Sequence, residues 1–92
     1  MSKLLSDQEI RTQLQSLQGW SKDGLWIITE KKFNTFSAAI AFVNKIAELA
    51  EAASHHPEIH IHYNQVLLEL STHDAGGLTE KDFSLAQKIN AL

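Results

Sequence analysis

The sequence predicts an α+β fold in the order α-β-β-α-β-β-α, a four-stranded antiparallel sheet with three helices packed on one face. Three observations carry that prediction. Two segments place a hydroxyl residue three positions before a carboxylate, Ser6 with Glu9 and Thr79 with Asp82, as helix starts do. Two turn signals, Asp23-Gly24 and Asn64-Gln65, stand beside runs of alternating apolar and polar residues. Between them lies a long apolar stripe of helical period, from Phe36 to Ala50, which stops short of Pro57.

The first helix is capped by Ser6, with Glu9 completing a capping box and Leu5 and Ile10 spaced as a hydrophobic staple. Ile10, Leu14 and Leu17 form its buried stripe, and Gly19 can end it in a left-handed conformation. Asp23-Gly24 turns the chain into a strand in which Leu25, Ile27 and Thr29 alternate with Trp26, Ile28 and Glu30, running on to Phe33. Asn34 or Thr35 opens a long helix that ends near Ala53. Its face of Phe36, Ala39, Ile40, Val43, Ile46, Ala47 and Ala50, widened by Phe42 and Leu49, is broad enough to meet a second subunit. Pro57 biases His56 to extended geometry and so ends that helix. Ile59, Ile61 and Tyr63 then alternate with His60 and His62. Asn64-Gln65 turns the chain, and Val66, Leu68 and Leu70 alternate with Leu67, Glu69 and Ser71. Asp74 to Gly77 is loop. Thr79 caps the last helix, Leu78 and Phe83 repeat the staple spacing, and Leu85, Ala86 and Ile89 supply its buried face.

Composition narrows the function. The 92 residues support one domain, spanning residues 1–92. The formal net charge of −3 lacks the basic surplus of a nucleic-acid binder, so no direct nucleic-acid binding is expected. There is no cysteine, which excludes disulfides and thiolate metal sites. The longest apolar run, Ala38 to Val43, is far too short for a membrane span, and the first residues are too polar for a signal peptide, so a cytoplasmic location is expected. The five histidines are the unusual feature, because protonating all of them would take the charge from −3 to +2.

The segment that can do chemistry is Glu51-Ala52-Ala53-Ser54-His55-His56-Pro57, with His73 after the second hairpin. Glu51 and His55 are four apart, so on a helix they share a face and the carboxylate would orient the imidazole. The break at Pro57 allows His55 and His56 to face one cleft, and His73 can join them if the end of the fourth strand lies alongside. The plainer reading of such a pair is surface capping at a helix end. His60 and His62 point to one face of a strand, a spacing used in zinc and iron sites. No carboxylate stands at a compelling spacing to complete a metal site, which favours two solvent-facing positions. Trp20 and Trp26 read as core or rim aromatics, Lys31-Lys32 as a solvated strand end, and Gly76-Gly77 as loop without a phosphate-cradling pattern. No serine or threonine nucleophile stands beside a histidine and an orienting acid.

Glu51, His55-His56-Pro57, Tyr63, His73 and Asp82, at their spacings, resemble the signature of the pterin-4a-carbinolamine dehydratase family. The stretch from Ser71 to Asp82 is similar to the family's second block, Gly19-Trp20 sits where members commonly carry it, and the likeness covers essentially the whole chain. The resemblance implies a dehydratase that removes water from a 4a-hydroxytetrahydropterin to give a quinonoid dihydropterin, with no metal or organic cofactor. Such a step recycles the tetrahydropterin consumed by an aromatic amino acid hydroxylase. It implies catalytic roles for His55, His56 and His73, with His55 and His73 as acid and base and His56 on the hydroxyl. Glu51, Trp20 and Lys81 become substrate-binding residues. Tyr63 is expected to pack at its hairpin end, and Asp82 reads as a capping residue at the third position of its helix. Two positions depart from the family pattern: Ser54 where many members carry Asp, and Lys81 where many carry Arg. The resemblance also implies a homodimer or homotetramer, through paired strand edges and the long helix. Some family members act as dimerisation or transcriptional cofactors, which makes a protein-binding module the alternative function.

Overall fold

The structure is a computed structural model that describes residues 3–92. Helix α1 spans Asp7–Gln15, α2 Phe36–Ala53 and α3 Glu80–Asn90; strands are β1 (Ser21–Asp23), β2 (Trp26–Lys32), β3 (Glu58–His62) and β4 (Gln65–Leu70). The strands form one antiparallel sheet in the order β1-β2-β4-β3, which places the two long strands β2 and β4 at its centre. The predicted element order and sheet are the ones observed.

Each helix starts where its cap residue stands. Ser6 accepts the Glu9 N–H, and Glu9 returns a bond from the Ser6 N–H, closing the expected capping box on α1. Thr35 caps α2 by accepting the Ala38 N–H. Thr79 and Asp82 close a second capping box on α3. Helix α1 ends at Gln15 with Ser16 as its C-cap, so Leu17 reaches the core from the following turn; Gly19 is left-handed at φ 85° as expected but closes that turn rather than the helix.

Both hairpin turns differ by one residue from the sequence prediction. Asp23 pairs with Trp26, so the first turn is Gly24-Leu25, with glycine at the first central position and Leu25 outside the strand. His62 pairs with Gln65, which makes Tyr63-Asn64 the second turn. The reason is on the neighbouring strand: Asn64 donates from its side chain to Phe33 O at 2.7 Å and accepts the Phe33 N–H at 2.8 Å. That double bond extends the β2–β4 ladder to Asn64 and leaves Tyr63 to make the bend, at φ 55° and largely exposed. Tyr63 therefore does not pack at the hairpin end.

One face of the sheet builds the core. Ile27 and Thr29 of β2 register with Leu70 and Leu68 of β4, and Ile59 of β3 joins the same row. Ala39 and Ile46 of α2 and Phe83, Leu85, Ala86 and Ile89 of α3 close over them, with Ile10 of α1 at the side. Burying the apolar surface of these side chains supplies the main driving force, about 25 cal/mol per Å². Of the remaining apolar residues of α2, Phe42, Val43 and Leu49 are half-buried against the core, whereas Phe36 and Ala47 are exposed and Ile40 half-buried, an outer stripe at helical spacing. Among the described residues no helix is long and apolar enough to cross a membrane.

Candidate active site

The site begins where α2 stops. Ser54 adopts left-handed geometry, φ 50° and ψ 40°. The His55 N–H bonds back to Ala50 O at 3.1 Å and the Ser54 N–H to Glu51 O at 3.2 Å, the paired closure of a Schellman motif. The reversal at Ser54 takes His55 off the helical path. The i, i+4 geometry that would have brought Glu51 to His55 is therefore broken, and this expectation is corrected: Glu51 bonds instead to His56, Oε1 to Nε2 at 2.9 Å.

His55 meets a different carboxylate. Its Nε2 lies 2.6 Å from Oδ1 of Asp82, at the third position of α3 and 27 residues along the chain. The Asp82 side chain is fully buried and that of His55 only 11% exposed. The other oxygen, Oδ2, accepts the Thr79 N–H and the Thr72 hydroxyl, both at 2.9 Å. Thr72 and Thr79 hydroxyls lie 2.7 Å apart. A carboxylate at a helix N-terminus sits at the positive end of the helix dipole, and it accepts only. The proton of a neutral His55 therefore belongs on Nε2, which leaves Nδ1 as the nitrogen with a free lone pair. An imidazole that is held, oriented and given one open nitrogen can take or return a proton.

Asp82 thus does more than cap. It is the residue that sequence reasoning assigned only to the helix end, and Thr72 and Thr79 are the two others it did not connect to His55. The only sequence signals were Asp82's place in the spaced pattern and Thr72's position directly before His73.

The other expected residues fall in three groups. His56 and its partner Glu51 are exposed, 61% and 78% at the side chain, and form a surface ion-pair geometry. His73 opens a short 3-10 helix, His73–Ala75, where a plain loop was expected, and is exposed. It follows Thr72, whose hydroxyl is two hydrogen bonds from the His55 ring. Lys81 lies beside His55 on the wall of a cleft of about 340 Å³, with Ala53, Ser84, Leu85, Lys88 and Glu80. That wall does not include His56 or His73. Trp20 stands apart from all three. It is buried in the core and its indole N–H donates to Asn90 Oδ1 at 3.0 Å, at the far end of α3 from Asp82, about 12 Å along the helix. Its placement is that of a core aromatic rather than a substrate contact.

His60 faces Glu69 at 3.2 Å on the helix-free side of the sheet. Among the described residues no three His, Cys, Asp or Glu side chains converge as a metal ion would need, so His60 and His62 lack a third ligand there.

Residues 3–92 match the family model described as pterin 4 alpha carbinolamine dehydratase. A Nostoc sp. protein provisionally named a pterin-4-alpha-carbinolamine dehydratase is 53% identical over 92 residues, covering all of this chain and 99% of the relative. A Cyanothece sp. protein with the same provisional name is 58% identical, over all of this chain and 95% of its own length. Among solved structures, a transcriptional coactivator/pterin dehydratase from Brucella melitensis superposes with a TM-score of 0.91 at 39% identity, covering 95% of both chains. A pterin dehydratase-like protein identified as a RuBisCO assembly factor in the alpha-carboxysome shares the fold, with a TM-score of 0.64 at 20% identity over 78% of this chain and 83% of that one. A family match over residues 3–92 and a relative 53% identical over the whole chain place this protein in the pterin-4-alpha-carbinolamine dehydratase family.

Proposed function

We propose that this protein removes water from a 4a-hydroxytetrahydropterin by histidine acid–base catalysis. The observation that carries the reading is the buried His55–Asp82 pair, 2.6 Å apart, because a carboxylate on Nε2 leaves the lone pair of a neutral ring on Nδ1. The reaction breaks the C4a–OH bond and the N5–H bond and forms the C4a=N5 double bond. One group must take the N5 proton as another protonates the departing hydroxyl. His55 takes the proton on Nδ1, and the imidazolium that results stands against the Asp82 carboxylate. His73, on the neighbouring loop, is the acid that completes the exchange, and His56 binds the hydroxyl. Lys81 and Lys88 give the cleft a cationic rim beside His55. The product is a dihydropterin that a reductase can return to the tetrahydro form, and the substrate comes from a hydroxylase that oxidises its pterin at C4a. Stopped-flow absorbance of 4a-hydroxytetrahydropterin decay tests the assignment. The wild type should accelerate decay, and His55→Ala and His73→Ala should each lose about 10²–10⁴-fold. Decay at the spontaneous rate with folded wild type would overturn it.

The same reading includes self-association. The outer stripe of α2, with Phe36 half-exposed, and the open edge of β3 are the surfaces that a second copy would cover. Light scattering should give a mass of at least twice the monomer, and Phe36→Glu should lower it. A wild-type monomer at micromolar concentration would sink this part and favour the protein-binding alternative, in which α2 serves a different partner.

A further inference from the structure

We propose that Thr72 is a positioning residue for His55, holding the ring's tautomer through Asp82 while its backbone closes the loop that carries His73. The inference rests on the dehydratase reading for its catalytic consequence only. Its structural half stands on the direction of the hydrogen bonds. Oδ2 of Asp82 already takes the Thr79 N–H at 2.9 Å, and as a carboxylate oxygen it can only accept. Thr72 Oγ1, 2.9 Å away, must therefore donate its single proton to it. Thr72 then has nothing left to give Thr79, 2.7 Å distant, so the Thr79 hydroxyl donates to Thr72. Thr79 Oγ1 in turn accepts the Lys81 N–H at 3.3 Å. The protons run one way, from the first turn of α3 through two hydroxyls to Asp82. Turning the carboxylate to release His55 would break the bonds on Oδ2 as well.

The backbone of the same residue shapes the other side of the site. The Thr72 N–H bonds to Gly77 O at 2.9 Å, and Thr72 O accepts the Ala75 and Gly76 N–H groups at 3.1 and 3.0 Å. His73 lies inside that closed turn. One residue therefore joins two histidines: its hydroxyl sets one and its backbone the other. Helix capping does not require this hydroxyl. The box of Ser6 and Glu9 closes on α1 with no third hydrogen-bond partner on its carboxylate among the described residues. Thr72, Thr79 and Asp82 are all buried, and no buried side-chain polar atom among the described residues lacks a partner. A hydroxyl buried against an anion is explained by the anion it holds.

Thr72→Val keeps the shape and deletes the hydroxyl; Thr72→Ser restores it. Two readouts are made on each variant and on the wild type: ¹⁵N chemical shifts of the His55 ring, and single-turnover decay of 4a-hydroxytetrahydropterin with kcat and KM separated. The wild type should show the proton on Nε2. Thr72→Val should show a mixture of tautomers and a kcat roughly 10–100-fold lower at little-changed KM, as expected for a lost hydrogen bond to a charged group. Backbone amides of residues 73–77 should keep their exchange protection, and Thr72→Ser should recover both tautomer and rate. A single wild-type tautomer and an undiminished rate in Thr72→Val would overturn the inference, as would a rate that Ser does not rescue. Should Thr72→Val fail to fold, a wild-type His55 protonated mainly on Nδ1 overturns it, and a wild-type Nε2–H tautomer that Thr72→Ser retains supports it. A tautomer lost in Val and regained in Ser, on a wild type with no dehydratase activity, would sink the reaction and keep the positioning role.

Discussion

Two helices of this protein begin with the same device and use it differently. In α1, Ser6 and Glu9 exchange hydrogen bonds at an exposed helix start. In α3, Thr79 and Asp82 do so in the interior, and the carboxylate has a second oxygen free for His55. The motif that stops a helix from fraying becomes, once buried, a fixed anion. Glu9 is held below the usual carboxylate range by the backbone N–H and then the hydroxyl of Ser6, and all of its partners are local. Asp82 binds Thr79 locally, and Thr72 and His55 from two other parts of the chain. Burial turns a local signal into a tertiary one because a buried carboxylate must have every oxygen satisfied.

The contrast is sharpest in catalysis. Asp82→Asn keeps an acceptor for the helix cap and presents an amide to His55, so the ring is no longer held in one tautomer. Its kcat should fall by about 10²–10⁴-fold, while Glu9→Gln should leave kcat within about threefold of wild type. Equal losses in a stopped-flow assay would erase the distinction between the two boxes.

A smaller effect probes how His55 is delivered to Asp82. Ser54 is a non-glycine residue in left-handed geometry, where a Cβ is crowded against the backbone. Ser54→Gly should raise the stability measured by urea unfolding by about 0.5–1 kcal/mol, and Ser54→Val should lower it by roughly 1–2 kcal/mol. A gain in Val would mean that the turn is not what directs the ring.

The smallest effect belongs to the exposed box. Because Glu9's folded value lies below its ordinary 4.5, its contribution to stability is complete above that value. It is lost as the pH falls through the lowered folded value, where the carboxylate takes a proton and its bonds to Ser6 weaken. The stability difference between wild type and Glu9→Gln should be constant from neutral pH to about pH 5 and should shrink below pH 4.5. A difference that grows on acidification would reverse the sign of the linkage.

The adjacent histidines repeat the lesson on a second scale. His55 and His56 each meet a carboxylate, at 2.6 and 2.9 Å, yet one pair is buried and the other bathes in solvent. Distances alone would rank them as equals. A solvent-exposed pair contributes about 0–1 kcal/mol and orients nothing for long, whereas a buried pair is locked by its surroundings. The expected partner of His55 was Glu51, since i and i+4 residues share a helix face. The left-handed turn at Ser54 removes that premise, and Glu51 goes to the histidine one residue later.

Much was legible because it is local. Caps and staples act across a few residues, the alternation of Ile27, Thr29, Val66 and Leu68 has a period of two, and the inner stripe of α2 repeats at helical spacing. Those interactions are written in neighbouring residues, so the sequence by itself determined the element order, the sheet and the segment that carries the histidines. Only the tertiary structure decided that Asp82 rather than Glu51 holds His55, that Trp20 belongs to the core beside Asn90, and that the second turn bends at Tyr63. Each of those depends on a partner from a distant part of the chain: α3 on α2, Asn90 on Trp20, Phe33 on Asn64. Spacing along a chain describes a direction only while the backbone stays regular. One reversed dihedral at Ser54 redirects everything after it, and packing then selects which charge lies opposite.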